Sequence, residues 1–263
     1  MISSPLLLYF IVIIGLPVLE GLKILVLGGT GFVGSNFIKL ASDNGHDIVS
    51  VSRRASTTDS PVRSNIKYVR GDATNAKELE KIISNEKVPF DACIHCIGLL
   101  FDSESGLLTY NKIMSGSGSI PSSDATYEKI TAQTASNAMN ILMKKKKIPF
   151  VFVSAAEAGW NFKAPVDFLE KYLVAKRKVE QSLLASAKLR GVVLRPSLIW
   201  QATKPTSFLA VLPFFVGSAI GLPFIDKPIQ VEILVAAALK AMLDPTVSGV
   251  KTYREMEPLA SAL

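Results

Sequence analysis

Tyr172 and Lys176 are the two side chains of this sequence best suited to proton transfer, because they are four positions apart. On a helix, residues at this spacing lie on the same face. An ammonium beside a phenol stabilises the phenolate, so the pair could exchange a proton with a carbonyl oxygen. A tyrosine on a helix also serves as an ordinary core residue, and both interpretations stay open at this point.

A cluster of glycines lies between a short apolar segment and an amphipathic one, with Gly28, Gly31 and Gly34 evenly spaced. Glycine adopts positive φ freely and lets a diphosphate lie against the backbone. A helix that begins near Phe32 would direct its N–H groups and its positive dipole end at those phosphates. The spacing predicts a dinucleotide-binding turn. The residues expected to line it are Gly28, Thr30, Gly31, Phe32, Val33 and Gly34.

The residues after the second predicted strand, Asp47–Ser52, bear on the choice of dinucleotide. An NAD site carries a carboxylate there, bonded to the ribose 2′-hydroxyl. This chain has Ser52, Arg53 and Arg54 instead, and guanidinium donors suit a 2′-phosphate. The sequence therefore favours NADP(H) over NAD(H) as the cofactor, with solvated loop arginines as the alternative.

Short apolar segments alternate with helical patterns along the chain, which predicts an α/β fold. We expect a doubly wound parallel sheet of the Rossmann type, followed by a short C-terminal substrate or interaction segment. The predicted division is a hydrophobic segment 1–22, a dinucleotide-binding domain 23–200 and a C-terminal segment 201–263. Further strands are predicted at Ile66–Asp72, Phe90–Gly98, Phe150–Ser154 and Gly191–Pro196, with helices at Glu78–Asn85, Tyr127–Lys147, Phe168–Ala187 and Val231–Leu243.

The carboxyl ends of the third and fourth strands supply further candidate contacts, because ligands of open α/β sheets lie at that edge. Asp72 is placed to approach an adenine or to cap a helix, and Ile97 and Gly98 would pass beside the cofactor. Residues 102–125 are predicted to form a long loop that includes Ser115–Ser119. The apolar stretch Phe208–Phe224 is expected either to form a substrate pocket or to pack as ordinary core.

Composition limits the partners of the protein. The chain has 263 residues, 49% of them hydrophobic, and a net charge of +7. Its basic residues are dispersed apart from Lys144–Lys147, so we expect no nucleic-acid binding, whereas an anionic membrane surface stays plausible. Cys93 and Cys96 would point to opposite faces of one strand. We therefore expect no disulfide between them and no metal site.

The first 19 residues carry no charged side chain, and Leu6–Leu19 is nearly all apolar. This run is shorter than the roughly 20 residues of a membrane-spanning helix, and it lacks the basic flank of a secretory signal. We expect a membrane-associated or cleaved targeting segment, with a wrongly assigned start codon as the alternative.

At these motifs the chain resembles the short-chain dehydrogenase/reductase superfamily, in its extended or atypical branch. The similarity runs from about Lys23 to Pro258. Its motifs are Gly28–Gly34, Asp72, Ile97–Gly98, Val153–Ala155, Tyr172-x-x-x-Lys176 and Leu194–Pro196. Three stretches, Ile97–Leu100, Phe152–Gly159 and Lys227–Ala236, are similar to a narrower subgroup. It contains the Rossmann accessory subunit of respiratory complex I, a fungal mitochondrial protein linked to coenzyme Q synthesis, and plant organellar proteins.

The resemblance implies Tyr172 as the catalytic acid–base group, with Lys176 tuning it and holding the nicotinamide ribose. The family's catalytic Ser or Thr falls at Ala155, which leaves Ser154 as the nearby hydroxyl, and its Asn falls near Thr131. A missing oxyanion donor costs roughly 3–4 kcal/mol in the transition state. We therefore expect slow turnover or none.

The resemblance further implies a mitochondrial NADP(H)-binding protein, associated with the inner membrane, that supports coenzyme Q synthesis. Its partners would be subunits of a quinone-synthesising or respiratory complex, with a plastid or another organelle as the alternative location. Two other functions stay open: an active NADPH-dependent oxidoreductase of a quinone-like substrate, and an accessory subunit of complex I. A nucleotide-sugar epimerase or dehydratase is a weaker alternative, because the C-terminal part is short.

Overall fold

The computed structural model describes residues 21–56, 62–111, 121–203 and 226–263. Three predicted features lie wholly or largely outside these ranges: the hydrophobic segment 1–22, the Ser115–Ser119 part of the predicted loop, and the apolar stretch Phe208–Phe224. Within these ranges no helix combines the length and the apolar character that crossing a bilayer requires.

The part of the chain that the structure describes forms one seven-stranded sheet in which all the pairs are parallel. The strand order is β3-β2-β1-β4-β5-β6-β9. The strands are β1 (Lys23–Leu27), β2 (Asp47–Ser52), β3 (Ile66–Arg70), β4 (Ala92–His95), β5 (Pro149–Val153), β6 (Arg190–Leu194) and β9 (Gly249–Lys251). Two short strands, β7 (Ile199–Trp200) and β8 (Ile229–Gln230), pair separately. The strand order reverses between β1 and β4, which is where ligands of such sheets bind.

Helices cover both faces of the sheet. They are α1 (Phe32–Asp43), α2 (Ala76–Ser84), α3 (Thr134–Leu142), α4 (Asp167–Leu184), α5 (Val231–Leu243) and α6 (Tyr253–Ser261). Alternate strand residues point to opposite faces. Leu25 accordingly packs in the cluster that includes residues of α2, α3 and α4, while Ile24 packs in the cluster that includes residues of α1, α5 and α6. This arrangement confirms the predicted doubly wound α/β fold.

The C-terminal part holds short elements that the sequence analysis does not predict. Among them is β9, which begins at Gly249, pairs with β6 and extends the sheet. The three residues Gly249–Lys251 are too few to give a legible alternating pattern. The helix α5 coincides with the predicted Val231–Leu243.

The helix predicted over Tyr127–Lys147 is shorter and less regular than expected. A π-helical turn, Glu128–Gln133, leads directly into α3, which ends at Leu142. The following lysines form a turn, in which the Lys145 amide donates to the Leu142 carbonyl. Like charges in series and the nearby Pro149 both disfavour a further helical turn.

Candidate functional site

The glycine-rich turn between β1 and α1 has a geometry that side chains would disrupt. Gly28 adopts a φ of +88°, in the left-handed region that favours glycine. A Cβ on Gly34 would lie 2.3 Å from the Gly28 carbonyl oxygen, and one on Gly29 would lie 2.1 Å from Ser50 Oγ. The turn therefore brings the start of α1 against the end of β1, as a diphosphate-binding loop requires.

The N-terminus of α1 is suited to an anion. Its N-cap is Gly31, which has no side chain to cap the helix, and the first turn holds no acidic residue. Thr30, Phe32 and Val33, which complete the predicted turn, are all half-buried. The backbone amides and the helix dipole at this position favour a bound phosphate group.

The three residues proposed to select the cofactor lie at the end of β2, beside this turn. The Arg54 guanidinium donates to the Thr30 carbonyl oxygen over 3.4 Å, so it reaches across the glycine-rich turn. Arg53 is exposed, and Ser52 Oγ donates to the Ala55 carbonyl oxygen. The Arg54 guanidinium therefore lies beside the predicted turn, with Arg53 exposed next to it in the chain, whereas the Ser52 hydroxyl is engaged with the backbone.

Asp72 follows β3, and Ile97 and Gly98 follow β4, so all three lie at the carboxyl edge of the sheet. Asp72 Oδ1 accepts from the Thr74 amide at 2.9 Å, and α2 is capped by Asn75 instead. Ile97 contacts the turn, because a Cβ on Gly28 would lie 3.0 Å from its Cγ1. Gly98 is exposed, and a Cβ there would lie 3.7 Å from Lys176 Nζ. The sheet order therefore brings these residues to one edge.

Tyr172 and Lys176 lie on the same face of α4, but their polar atoms have separate environments. Lys176 Nζ lies 5.5 Å from the centroid of the Tyr172 ring and donates to the Val153 carbonyl oxygen at 2.8 Å. Burial lowers the pKa of Lys176 to about 8, although Glu180 and Cys96 act to raise it. Lys176 is therefore tied to the end of β5 beneath Gly98.

The pKa of Tyr172 is shifted in the direction opposite to that expected from the sequence. Burial raises it first, and the charges of Glu157 and Tyr127 raise it further. The Tyr127 and Tyr172 rings meet edge to face with centroids 5.5 Å apart. A tyrosine in this environment stays protonated at neutral pH, so it is placed to donate a proton rather than to accept one.

Ser154 corrects another expectation. Its hydroxyl was the candidate for the missing catalytic Ser, but it is buried and donates to Glu180 Oε1 at 2.5 Å. The same carboxylate accepts from both Nε and Nη2 of Arg195. Ser154 therefore belongs to a buried chain of three side chains, because β5 points it towards α4, and its proton is committed to Glu180. Ala155, at the family's hydroxyl position, is also buried.

The remaining candidate side chains, His95, Cys93 and Cys96, pack in the core around the sheet. His95 is fully buried, its Nε2 lies 2.8 Å from Thr134 Oγ1, and burial lowers its pKa to about 3. Cys93 and Cys96 pack in opposite core clusters, as the strand spacing predicts. Among the residues that the structure describes, no three His, Cys, Asp or Glu side chains group as metal ligands.

Comparisons with known proteins agree with this geometry. Residues 24–115 match the sequence model of the NAD dependent epimerase/dehydratase family. Over 92% of its length, the chain is 26% identical to an uncharacterized chloroplastic protein of Arabidopsis thaliana and covers 78% of it. It is also 34% identical to a bifunctional UDP-glucose 4-epimerase and UDP-xylose 4-epimerase of Pisum sativum. That match covers 32% of this chain and only 26% of the pea enzyme.

Solved structures share the fold along most of the chain. The Bordetella bronchiseptica enzyme WbmF in complex with NAD+ has a TM-score of 0.61 at 17% identity, with 92% of this chain and 77% of WbmF covered. The Thermus thermophilus UDP-glucose 4-epimerase in complex with NAD has a TM-score of 0.59 at 16% identity, with 91% and 81% covered. At these identities the likeness establishes the Rossmann-like α/β fold.

Two side chains of the site were missed by the sequence argument. Glu180 anchors Ser154 and Arg195, and its spacing of four from Lys176 could have indicated it, because the face that carries Tyr172 and Lys176 continues there. The charge of Glu157 raises the pKa of Tyr172. The sequence argument included Glu157 only as part of the segment Phe152–Gly159, which is similar to the narrower subgroup. Its signal was a lone carboxylate in an otherwise apolar run after β5.

Proposed function

We propose that this protein is a short-chain-dehydrogenase-like NADP(H)-binding protein. The observation that carries the proposal is the glycine-rich turn packed against the uncapped start of α1, at the point where the strand order reverses. The residues that would hold the cofactor are those of the turn, the Arg53 and Arg54 pair, and the edge formed by Asp72, Ile97 and Gly98. When bound, a reduced nicotinamide supplies a hydride.

The preference for NADP(H) rests on the side chains of the β2 end. Both arginines directly follow β2, and Arg54 contacts the Thr30 carbonyl oxygen of the turn. Because a 2′-phosphate adds negative charge at this position, guanidinium groups would favour it over the 2′-hydroxyl of NAD(H). The relatives with bound dinucleotides are named with NAD, so this preference is a property proposed for this chain.

The site's own groups support slow turnover or none. Lys176 is held by the Val153 carbonyl oxygen, Ser154 is committed to Glu180, and Ala155 has no hydroxyl. One oxyanion donor is therefore missing from the site, at a cost of roughly 3–4 kcal/mol in the transition state. The alternative is an active NADPH-dependent oxidoreductase of a quinone-like substrate, in which Tyr172 donates the proton.

We further propose that the protein supports coenzyme Q synthesis at the mitochondrial inner membrane, together with subunits of a quinone-synthesising or respiratory complex. This proposal draws on the subgroup similarity of Ile97–Leu100, Phe152–Gly159 and Lys227–Ala236. Its alternatives are a role as an accessory subunit of complex I and a location in plastids. The plastid alternative draws on the chloroplastic Arabidopsis relative.

Thermal unfolding with and without nucleotide tests the binding proposal. NADPH at 100 times its Kd should stabilise the native state by about 2.7 kcal/mol, seen as a rise in Tm. No rise in Tm with either NADPH or NADH would contradict the proposal.

The cellular role is tested by total coenzyme Q in cells whose only copy carries Tyr172→Phe, beside a deletion strain. Normal quinone in the variant and low quinone in the deletion would support a role in binding and assembly. Deletion-level quinone with abundant variant protein would instead show that Tyr172 performs chemistry.

A further inference from the structure

The amino ends of the parallel strands form an edge of the sheet opposite the predicted cofactor edge. Lys147 comes two residues before β5, and Lys188 comes two residues before β6. These strands are neighbours, and Pro149 pairs with Arg190 at their start. The backbone therefore brings both lysines to this amino edge. About 16 Å of strand separates it from the carboxyl edge, where the dinucleotide would bind.

No carboxylate neutralises these two lysines. Three carboxylates of the amino edge pair with other lysines, in the ion pairs Lys144–Glu80, Lys146–Asp91 and Lys23–Glu86. Lys147 and Lys188 are exposed, and neither forms an ion pair among the residues that the structure describes. Their charges are therefore in excess at this edge.

The helix dipoles do not account for the two lysines either. A cation stabilises the C-terminus of a helix, but the effect falls off within the last turn. Helix α3 ends at Leu142, five residues before Lys147, and α4 ends at Leu184, four residues before Lys188. Because both lysines lie beyond the last turns, their charge is available to a partner.

Lys147 lines a cleft of about 420 Å³ at the amino edge, together with Arg190 and Ser248. The Arg190 guanidinium donates to carbonyl oxygens at the end of α5, which fixes its charge beside the cleft. Asp244, the carboxylate that faces Arg190, accepts from the amide and the hydroxyl of the residue two positions later. The cleft thus combines cations with a hydroxyl group, which are donors that phosphate oxygens accept.

Apolar side chains are exposed beside these cations. Leu184 lines the same cleft and is 44% exposed, and Val88, in the segment before β4, is 58% exposed. The chain enters β1 from Leu22 at the same edge, about 10 Å from β5 across the intervening β4. In the sequence, the apolar and uncharged stretch Leu6–Leu19 precedes Leu22. Exposed apolar groups among cations are typical of a surface that lies in a layer of lipid headgroups.

We infer that the amino edge is the surface by which this protein lies on an anionic phospholipid bilayer. Lys147 and Lys188 meet the lipid phosphates, and Arg190 adds a fixed positive charge. This inference rests on the proposed location at a membrane. Cations near an anionic bilayer are each attracted to it, so a cluster of them sets the orientation of the protein. The cofactor edge then faces away from the bilayer, where it is open to nucleotide in solution.

The test is co-sedimentation of the full chain with phosphatidylcholine vesicles, with and without about 30% phosphatidylglycerol. We expect tighter binding to the anionic vesicles. Lys147→Gln combined with Lys188→Gln should weaken that binding by about thirtyfold, which is about fivefold for each lysine.

The matched control combines Lys77→Gln with Lys163→Gln. It removes two exposed lysines that follow strands β3 and β5 at the cofactor edge, and neither forms an ion pair within the described ranges. This control has the same net charge as the amino-edge double variant. It should bind anionic vesicles within about twofold of the unaltered chain, because its two sites lie far from the bilayer.

Equal affinity of the two double variants for anionic vesicles would overturn the inference and leave an acidic protein as the occupant of the amino edge. Equal affinity of the unaltered chain for neutral and anionic vesicles would also overturn it. Binding to neither kind of vesicle would contradict the proposed membrane location as well.

NADPH binding, measured on the same samples, separates this inference from the proposed cofactor site. The amino-edge double variant should bind NADPH within about twofold of the unaltered chain, because both lysines lie at the opposite edge of the sheet. Absence of NADPH binding by the unaltered chain would overturn the proposed cofactor site and leave the vesicle result standing.

Discussion

Lys176 Nζ donates to the carbonyl oxygen of Val153 at 2.8 Å, although the spacing of Lys176 from Tyr172 is that of a catalytic pair. The lysine is 4% exposed, and its ammonium lies over the Phe152 ring. The contact joins α4 to the last residue of β5, at the sheet edge where a dinucleotide would bind. Lys176 therefore organises the end of β5 and does not contact the Tyr172 hydroxyl.

The depressed pKa of Lys176 predicts a specific dependence of stability on pH. Its pKa is about 8 in the native state and 10.5 as a free side chain. Between these values the unfolded chain binds more protons, so the contribution of Lys176 to the free energy of unfolding rises with pH. The full rise is about 3 kcal/mol. Urea unfolding at several pH values should show this rise, and Lys176→Met should remove it. An equal slope in both proteins would contradict the assignment.

The buried chain Ser154–Glu180–Arg195 predicts unequal costs for its members. Glu180→Ala leaves the Arg195 guanidinium and the Ser154 hydroxyl without their shared acceptor, and should lower the free energy of unfolding by about 3 kcal/mol. Ser154→Ala leaves the ion pair intact and should cost about 1 kcal/mol. Urea unfolding of the two variants checks the ratio. If Ser154→Ala costs as much as Glu180→Ala, the hydroxyl has a larger role than this network assigns to it.

The packing of the glycine-rich turn predicts that Gly34→Ala is damaging. Its Cβ would meet the Gly28 carbonyl oxygen at 2.3 Å and the Gly29 Cα at 2.8 Å, which are backbone atoms with little freedom to move. We expect a loss of about 1–3 kcal/mol in the free energy of unfolding. Gly98→Ala is the matched control, because its Cβ would meet only Lys176 Nζ, at 3.7 Å. Similar Tm values for the two variants would contradict the packing argument.

The arginines after β2 predict how nucleotide selectivity responds to substitution. Arg53→Ala and Arg54→Ala should each weaken NADPH binding by about tenfold, because each removes a charged donor to the 2′-phosphate, and should leave NADH binding nearly unchanged. Arg254→Ala, which removes an exposed guanidinium from α6, controls for overall charge. Fluorescence titration with both nucleotides gives the comparison. An equal loss for NADPH and NADH would show that the arginines hold only groups common to both.

Much of the fold follows from local patterns. The strand Asp47–Ser52 and the helix Val231–Leu243 have the predicted bounds, because in each case apolar residues at the spacing of that element lie between polar flanks. Strand β9 was missed, because its three residues pair only once β6 is in place. The π-helical turn Glu128–Gln133 was also missed, since its sequence differs little from that of an α-helix.

The site was less predictable than the fold. The glycine positions could be identified because their requirement is local, a turn between a strand and a helix. The partners of Lys176 and Ser154 could not, because Val153 and Glu180 approach them only through the packing of α4 on β5. The spacing along α4 predicts that Tyr172 and Lys176 lie on one face of the helix. The hydrogen-bond partner of each side chain depends on tertiary contacts, which the spacing does not reveal.

The most direct test of the central claim is isothermal titration of the purified full chain with NADPH and with NADH at one ionic strength. The account predicts one NADPH bound per chain, with a Kd at least about tenfold lower than that for NADH. Binding of neither nucleotide would contradict the dinucleotide site itself, and tighter binding of NADH would contradict the role of Arg53 and Arg54.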